Sequence, residues 1–342
     1  MPFNLIITIF YLIFYLNFFI MFVFIPFILF YCINPIGSIK FFIICKNFIF
    51  NSLGFIVKKI MFSNVYVNSN ELYESITEYN HKNKKIIISN HPSEFDFLLA
   101  SIFLTNTNLI NSNIGLAKKN IGYIIPIIGF IGLFSGDVFL HRNINMDINK
   151  LNKKLNFNLM ILYPEGTCFN KDRKLISDNY CDKNSLIKFK YHLYPRTTGL
   201  EIIINNNIDI KYIYDLTLIY DEIKKKDYGN HYNLFNCIIN KFKISNKIYI
   251  QINKYKIDRK NDFNKKMIEN IYLSKDNFIS KFDINCNNFV PIKYEYFKGF
   301  GCFIFVNFIC ILSIYLYIKY NFIKYLYFFQ LIIYYLYFYF FV

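Results

Sequence analysis

Both ends of this chain are nearly devoid of charge, and that limits its possible folds more than any other feature. Residues 1–39 hold no charged side chain, and within 299–342 only Lys319 and Lys324 are charged. Residues 5–33 form an almost unbroken apolar run, longer than the roughly 20 residues a helix needs to span a bilayer. The run lacks the basic leader, short apolar core and small-residue cleavage site of a signal peptide, so a retained anchor is expected. Residues 41–57 are a weaker apolar stretch, interrupted by Lys46, Asn47, Asn51 and Gly54. They read as an interfacial helix or as the return arm of a hairpin. Lys58 and Lys59 mark the exit to the polar side. Residues 299–317 and 322–342 read as a helical hairpin in the membrane, or as an amphipathic pair in one leaflet.

Three parts follow: an N-terminal membrane anchor of one or two helices (1–59), a middle domain (60–290) and a C-terminal membrane hairpin (299–342). The net charge of +16 therefore belongs almost wholly to the middle. A basic body between apolar ends suits anionic headgroups or phosphate-bearing substrates. It also suits simple orientation, since Lys and Arg accumulate on the cytosolic side. Nucleic acid is the poorer partner for a chain anchored at both ends. Transport is poorly supported too, because the apolar runs hold almost no ionisable group to mark a pathway. Heavy use of Asn, Ile, Lys, Tyr and Phe, with no Trp, points to a nucleotide bias, so runs of Asn or Lys say little.

The eight cysteines form no C-x-x-C pair and the five histidines are scattered. Neither a zinc site nor a secreted disulfide framework is expected, and no metal. The pattern suits a reducing compartment.

The middle alternates short apolar strands with longer mixed segments, as an α/β domain does. A mixed sheet flanked by helices is expected, with membrane helices at the N-terminal and C-terminal ends. Strands are predicted at 84–89, 114–118, 137–140, 159–163, 211–219 and 248–252, and a helix over 262–282. Asn205-Asn206-Asn207 reads as a polar loop, and 221–230 as a solvated one.

The first strand leads into Asn90-His91-Pro92-Ser93-Glu94-Phe95-Asp96. On one continuous helix a five-residue step turns about 500°, so His91 and Asp96 would not share a face. They can meet if His91 precedes the helix and Asp96 lies in its first turn. Asp96 would then hold one ring nitrogen and leave the other as a base. The plainer reading is a helix-capping box, Ser93-x-x-Asp96. Three further stretches follow: Gly136-Asp137-Val138-Phe139-Leu140-His141-Arg142, Tyr163-Pro164-Glu165-Gly166-Thr167, and Tyr191-His192-Leu193-Tyr194-Pro195-Arg196-Thr197-Thr198-Gly199. Each alone reads as a strand end or a turn.

In this order and spacing the four stretches resemble the blocks of the glycerolipid acyltransferase family. The first block, N-H-x-x-x-x-D, is matched by Asn90, His91 and Asp96, and the second, G-x-x-F-x-x-R, by Gly136, Phe139 and Arg142. The third, P-E-G-T-R, is matched by Pro164, Glu165, Gly166 and Thr167, and the fourth centres on Pro195. The fourth stretch looks most like the eukaryotic branch of lysophosphatidate and lysocardiolipin acyltransferases. Where the family usually has arginine after Glu-Gly-Thr, this chain has Cys168.

The resemblance implies an acyl-CoA-dependent acyltransferase that turns 1-acylglycerol-3-phosphate into phosphatidic acid, with acyl-CoA as co-substrate and no cofactor. His91 would be the base and Asp96 would orient it. Arg142, Glu165, Gly166, Thr167 and Pro195 would bind substrate, with Arg142 on the acceptor phosphate. The implied setting is the endoplasmic reticulum membrane, catalytic domain towards the cytosol. The missing arginine puts the acceptor in question, and Arg142, Lys171 or Arg173 are the candidates to replace it. Another lysophospholipid, such as lysocardiolipin or lysophosphatidylinositol, is the alternative acceptor. A second route makes Cys168 a nucleophile, and a third reading is a non-catalytic lipid-binding scaffold.

Overall fold

The computed structural model describes residues 62–78, 84–93 and 96, 113–120, 137–152, 157–207, 209–220, 245–257, 264–283, 289–292 and 296–325. It also describes scattered positions between 33 and 55, and residues 132, 155, 328 and 332. The predicted run at 5–33 lies outside them but for Ile33, as do the loop at 221–230, Gly136 and most of 322–342. The chain forms two compact units: Val57–Asn113 with Ile144–Tyr294, and Met1–Ile56 with Ile114–Asn143 and Glu295–Val342.

The first unit is built on a sheet of β1 (Phe62–Val67), β2 (Lys84–Ser89), β5 (Leu159–Leu162), β6 (Ile210–Tyr220), β7 (Ser245–Lys256) and β8 (Val290–Pro291). Their order is β5-β2-β6-β7-β1-β8. β2 runs parallel to both β5 and β6, whereas β6 and β7 are antiparallel. The sheet is mixed, as expected. β2 explains its own place. Ile86, Ile87 and Ile88 are fully or almost fully buried, the continuous apolar run of a strand covered on both faces. Its one buried cation is accounted for. Lys85 Nζ donates to the carbonyls of Ser75 (2.6 Å) and Glu78 (2.6 Å), capping the last turn of α1 (Asn70–Thr77), where a cation meets the negative end of the helix.

Three helices begin on side-chain caps. Ser69 accepts from the Leu72 N–H at α1. Asn170 accepts from the Arg173 N–H at α3 (Lys171–Lys183), and Asn264 from the Met267 N–H at α5 (Lys265–Lys281). The remaining helices of this unit are α2 (Ile144–Leu151) and α4 (Thr198–Asn206). The expected polar loop at 205–207 is corrected by α4: Asn205 and Asn206 are its last residues, and Asn207 is the C-cap. Apolar Leu200, Ile203 and Ile204 bury one face of that helix, and the packing outweighs the poor helix propensity of asparagine.

The second unit contains a parallel pair, β3 (Asn113–Lys118) with β4 (Val138–Leu140). Asp137 supports it by accepting from the Gly115 N–H at 2.7 Å. The unit also contains α6 (Tyr296–Lys319). Phe48 and Phe55, both helical, pack on α6 through ring contacts of 4.9 Å to Phe305 and 5.3 Å to Phe303. Among the described residues no helix is long and apolar enough to cross a membrane.

Candidate active site

The site lies at the carboxyl ends of β2 and β5, where open α/β sheets place their ligands. Ile88 of β2 pairs with Leu162 of β5, so the chain leaves both strands at the same level. On the other side of β2, Asn90 continues the ladder with its side chain. Its amide donates to the Leu218 carbonyl (3.1 Å) and its carbonyl oxygen accepts from the Leu218 N–H (2.7 Å). A fully buried side chain thus replaces a peptide unit and frees the backbone of the next residue to turn.

That next residue is His91. Its N–H donates to Glu165 Oε1 (3.0 Å) and its carbonyl accepts from the Phe169 N–H (2.8 Å). Its ring stacks on Tyr163, with centroids 4.5 Å apart. Nδ1 lies 3.0 Å from Asp96 Oδ2, and Nε2 lies 3.4 Å from Cys168 Sγ. The imidazole is 16% exposed, while Asp96 is fully buried.

Asp96 unites the two readings of its stretch. Oδ2 takes the Nδ1–H of His91 and also the Ser93 N–H at 2.8 Å, which is the return half of a capping box. Oδ1 accepts from the Tyr220 hydroxyl at the end of β6. Burial pushes the Asp96 pKa up, and the bonds from His91, Tyr220 and Ser93 oppose it. On His91, burial works against the charged ring. The bonds and charges of Asp96 and Cys168 outweigh it and push the pKa up to about 10.

Glu165 is buried, and each of its oxygens takes a backbone N–H, Oε1 from His91 and Oε2 from Leu193 (3.0 Å). It therefore bridges the first and fourth stretches. Gly166 sits at φ +70 with its N–H on the Tyr163 carbonyl (2.8 Å), a left-handed turn that favours glycine. Thr167 is partly exposed and Pro195 is buried. The Arg196 N–H donates to the Pro164 carbonyl (2.8 Å) and ties the third stretch to the fourth. Asp276 of α5 holds the start of the fourth stretch through the N–H groups of Lys190 and Tyr191, both 2.7 Å. His91, Asp96, Glu165, Gly166, Thr167 and Pro195 thus belong to one unit. Arg142 stands in the other, exposed, just after β4 and at φ 64. Sequence reasoning missed Tyr163 and Tyr220. The one signal for them was a tyrosine at the end of an apolar strand. Among the described residues no cluster of His, Cys, Asp and Glu could hold a metal ion.

Residues 67–214 match the Acyltransferase family model, a span that holds all four stretches, and the resemblance read from them is thereby shown. The 1-acyl-sn-glycerol-3-phosphate acyltransferase delta of Mus musculus is 30% identical over 145 residues, which are 40% of this chain and 38% of that protein. Lysocardiolipin acyltransferase 1 of Gallus gallus is 29% identical over 154 residues, 41% of this chain and 39% of that protein. The chain spans well under half the length of these curated relatives. Among solved structures, the 1-acyl-sn-glycerophosphate acyltransferase PlsC of Thermotoga maritima aligns with a TM-score of 0.43 and 15% identity, over 80% of this chain and 97% of that one.

Proposed function

We propose that this acyltransferase-like chain is a membrane-bound enzyme that moves a fatty acyl group from acyl-CoA to the free hydroxyl of a lysophospholipid. Its leading acceptor is 1-acylglycerol-3-phosphate, and the product is phosphatidic acid. The observation that carries the reading is the His91–Asp96 pair, with Nδ1 on a buried carboxylate and Nε2 turned to the partly exposed side of Cys168.

The chemistry follows from those atoms. A hydroxyl is a weak nucleophile at neutral pH and needs a base. Asp96 fixes the tautomer with the proton on Nδ1, leaves Nε2 to take the hydroxyl proton, and stabilises the imidazolium that results. In a direct transfer the oxygen attacks the thioester carbonyl of acyl-CoA, and CoA departs as a good leaving group. The Gly166 N–H is held by the Tyr163 carbonyl, so the Thr167 N–H of the same turn is the candidate donor to the developing oxyanion. Arg142 is the candidate for the acceptor's phosphate, as a planar bidentate donor.

Membrane attachment rests on the apolar ends. On α6 the exposed Phe300, Ile304, Phe308, Ile311, Tyr315 and Ile318 recur at helical spacing, a stripe suited to lipid. The endoplasmic reticulum, with the catalytic unit towards the cytosol where acyl-CoA is found, is the setting proposed. Cys168 in the arginine position favours one second reading. The acceptor is then a different lysophospholipid, and the lysocardiolipin relative fits it.

The test is acyl transfer by membranes carrying the chain, with labelled oleoyl-CoA and a panel of lysophospholipids. Phosphatidic acid is expected from the wild type, and His91→Ala should lower the rate by about 10²–10⁴-fold. Transfer to another acceptor alone would select the second reading. No transfer to any, with the protein present and folded, would leave a lipid-binding scaffold.

A further inference from the structure

The site holds a group that the direct transfer does not use. Cys168 is a free, partly exposed thiol, and it stands against the ring nitrogen that would have to take the acceptor's proton. Its position is set by the backbone on both sides. Its own carbonyl accepts from Arg173 Nη1 (3.1 Å), and the next residue's N–H is on the His91 carbonyl (2.8 Å). Sγ, imidazole and carboxylate follow one another at 3.4 and 3.0 Å. This is the order that activates a cysteine nucleophile, a base within reach of the thiol and a third group orienting the base.

We propose that Cys168 is a catalytic nucleophile, carrying the acyl group as a thioester between donor and acceptor. The proposal rests on the reading of the chain as an acyl-CoA-dependent acyltransferase. In the first half, the Cys168 proton passes to His91 Nε2 and Sγ attacks the thioester carbonyl of acyl-CoA. The carbonyl–sulfur bond to CoA then breaks, and the leaving thiolate takes the proton from His91. In the second half, the acceptor hydroxyl gives its proton to Nε2 and its oxygen attacks the acyl-Cys168 carbonyl. The bond to Sγ breaks, an ester is released, and the proton returns to sulfur. Every atom is supplied by the two substrates.

The first half exchanges one thioester for another, so it runs in both directions and needs no acceptor. Wild-type membranes are given acyl-CoA and labelled free CoA without lysophospholipid. Label should enter acyl-CoA at least as fast as overall transfer proceeds, and an acyl group released by neutral hydroxylamine should be found on the Cys168 peptide. Cys168→Ala should lower both exchange and transfer more than 100-fold. The proposal is overturned if the wild type transfers to a lysophospholipid yet shows neither exchange nor acylated Cys168, an outcome that leaves the acyltransferase reading standing. Cys168→Ala within threefold of wild-type transfer would overturn it equally. Exchange without transfer to any acceptor supports the nucleophile and removes the lysophospholipid. Loss of both activities in folded wild type overturns the two together. The wild-type measurements need no variant, so a misfolded Cys168→Ala does not blunt the test.

Discussion

At the scale of single residues, the site depends on one ring held in one orientation. His91 is fixed through its N–H, its carbonyl, Nδ1 and its face, by Glu165, Phe169, Asp96 and Tyr163. Asp96→Asn keeps the shape but can offer an N–H where the ring needs an acceptor. Transfer should fall by about 10²–10⁴-fold in kcat with little change in KM, read from initial rates over a range of acceptor concentrations. The charge on the ring has a second consequence. His91 has a folded-state pKa of about 10, above the unfolded value of about 6.5. Its contribution to stability is therefore complete below about pH 6.5 and is lost as the pH rises towards 10. Melting temperatures from pH 6 to 10 should fall more steeply for the wild type than for His91→Gln. Cys168→Ala, which removes one of the groups raising that pKa, should move the fall to lower pH. Parallel curves for wild type and His91→Gln would refute the assignment.

At the scale of elements, a buried ion pair locks α5 to β6 behind the site. Lys275 and Asp215 are both fully buried and paired, and Lys275 Nζ also donates to the Leu216 carbonyl at 2.5 Å. Burial pushes the Lys275 pKa down and the Asp215 pKa up, each opposed by its partner. Lys275→Met strands a carboxylate in the interior and should cost about 3–5 kcal/mol, whereas Lys275→Met with Asp215→Leu should recover most of it. Denaturant melts of the two variants check this, and a double variant as weak as the single one would contradict it. Much at this scale was legible in the sequence. Runs such as Lys84–Ser89 and Leu159–Leu162 are apolar, β-branched or close to it, and bounded by turn residues. β1 was not, because Ser63 and Asn64 break its apolar run. Neither was β8, a two-residue edge ending in proline. The meeting of His91 with Asp96 could be read from spacing, because both lie in one turn. The hold of Tyr220 on Asp96 could not, since a contact 124 residues apart leaves no local pattern.

At the scale of the whole molecule, charge and apolarity are sorted along the chain, with apolar ends and a net charge of +16 concentrated between them. A basic body at a lipid surface gains about 1 kcal/mol for each Lys or Arg near anionic headgroups, and salt screens that gain. Transfer in mixed micelles should rise when anionic lipid replaces neutral lipid, and the advantage should shrink from 0.05 to about 0.5 M salt. An advantage unchanged by salt would assign the basic surface to topology alone.

The place of β2, between a strand made much later and another made later still, also sets a clock. His91 is synthesised early, but the hydroxyl that completes the setting of its carboxylate partner comes 124 residues after Asp96. At about 5–20 residues per second, that gap lasts roughly 6–25 s on the ribosome. For that interval His91 has neither β6 beside it nor Tyr220 behind Asp96. The setting of His91 and Asp96 is therefore completed only as a late event of synthesis, once the strand carrying Tyr220 has left the ribosome and paired with β2.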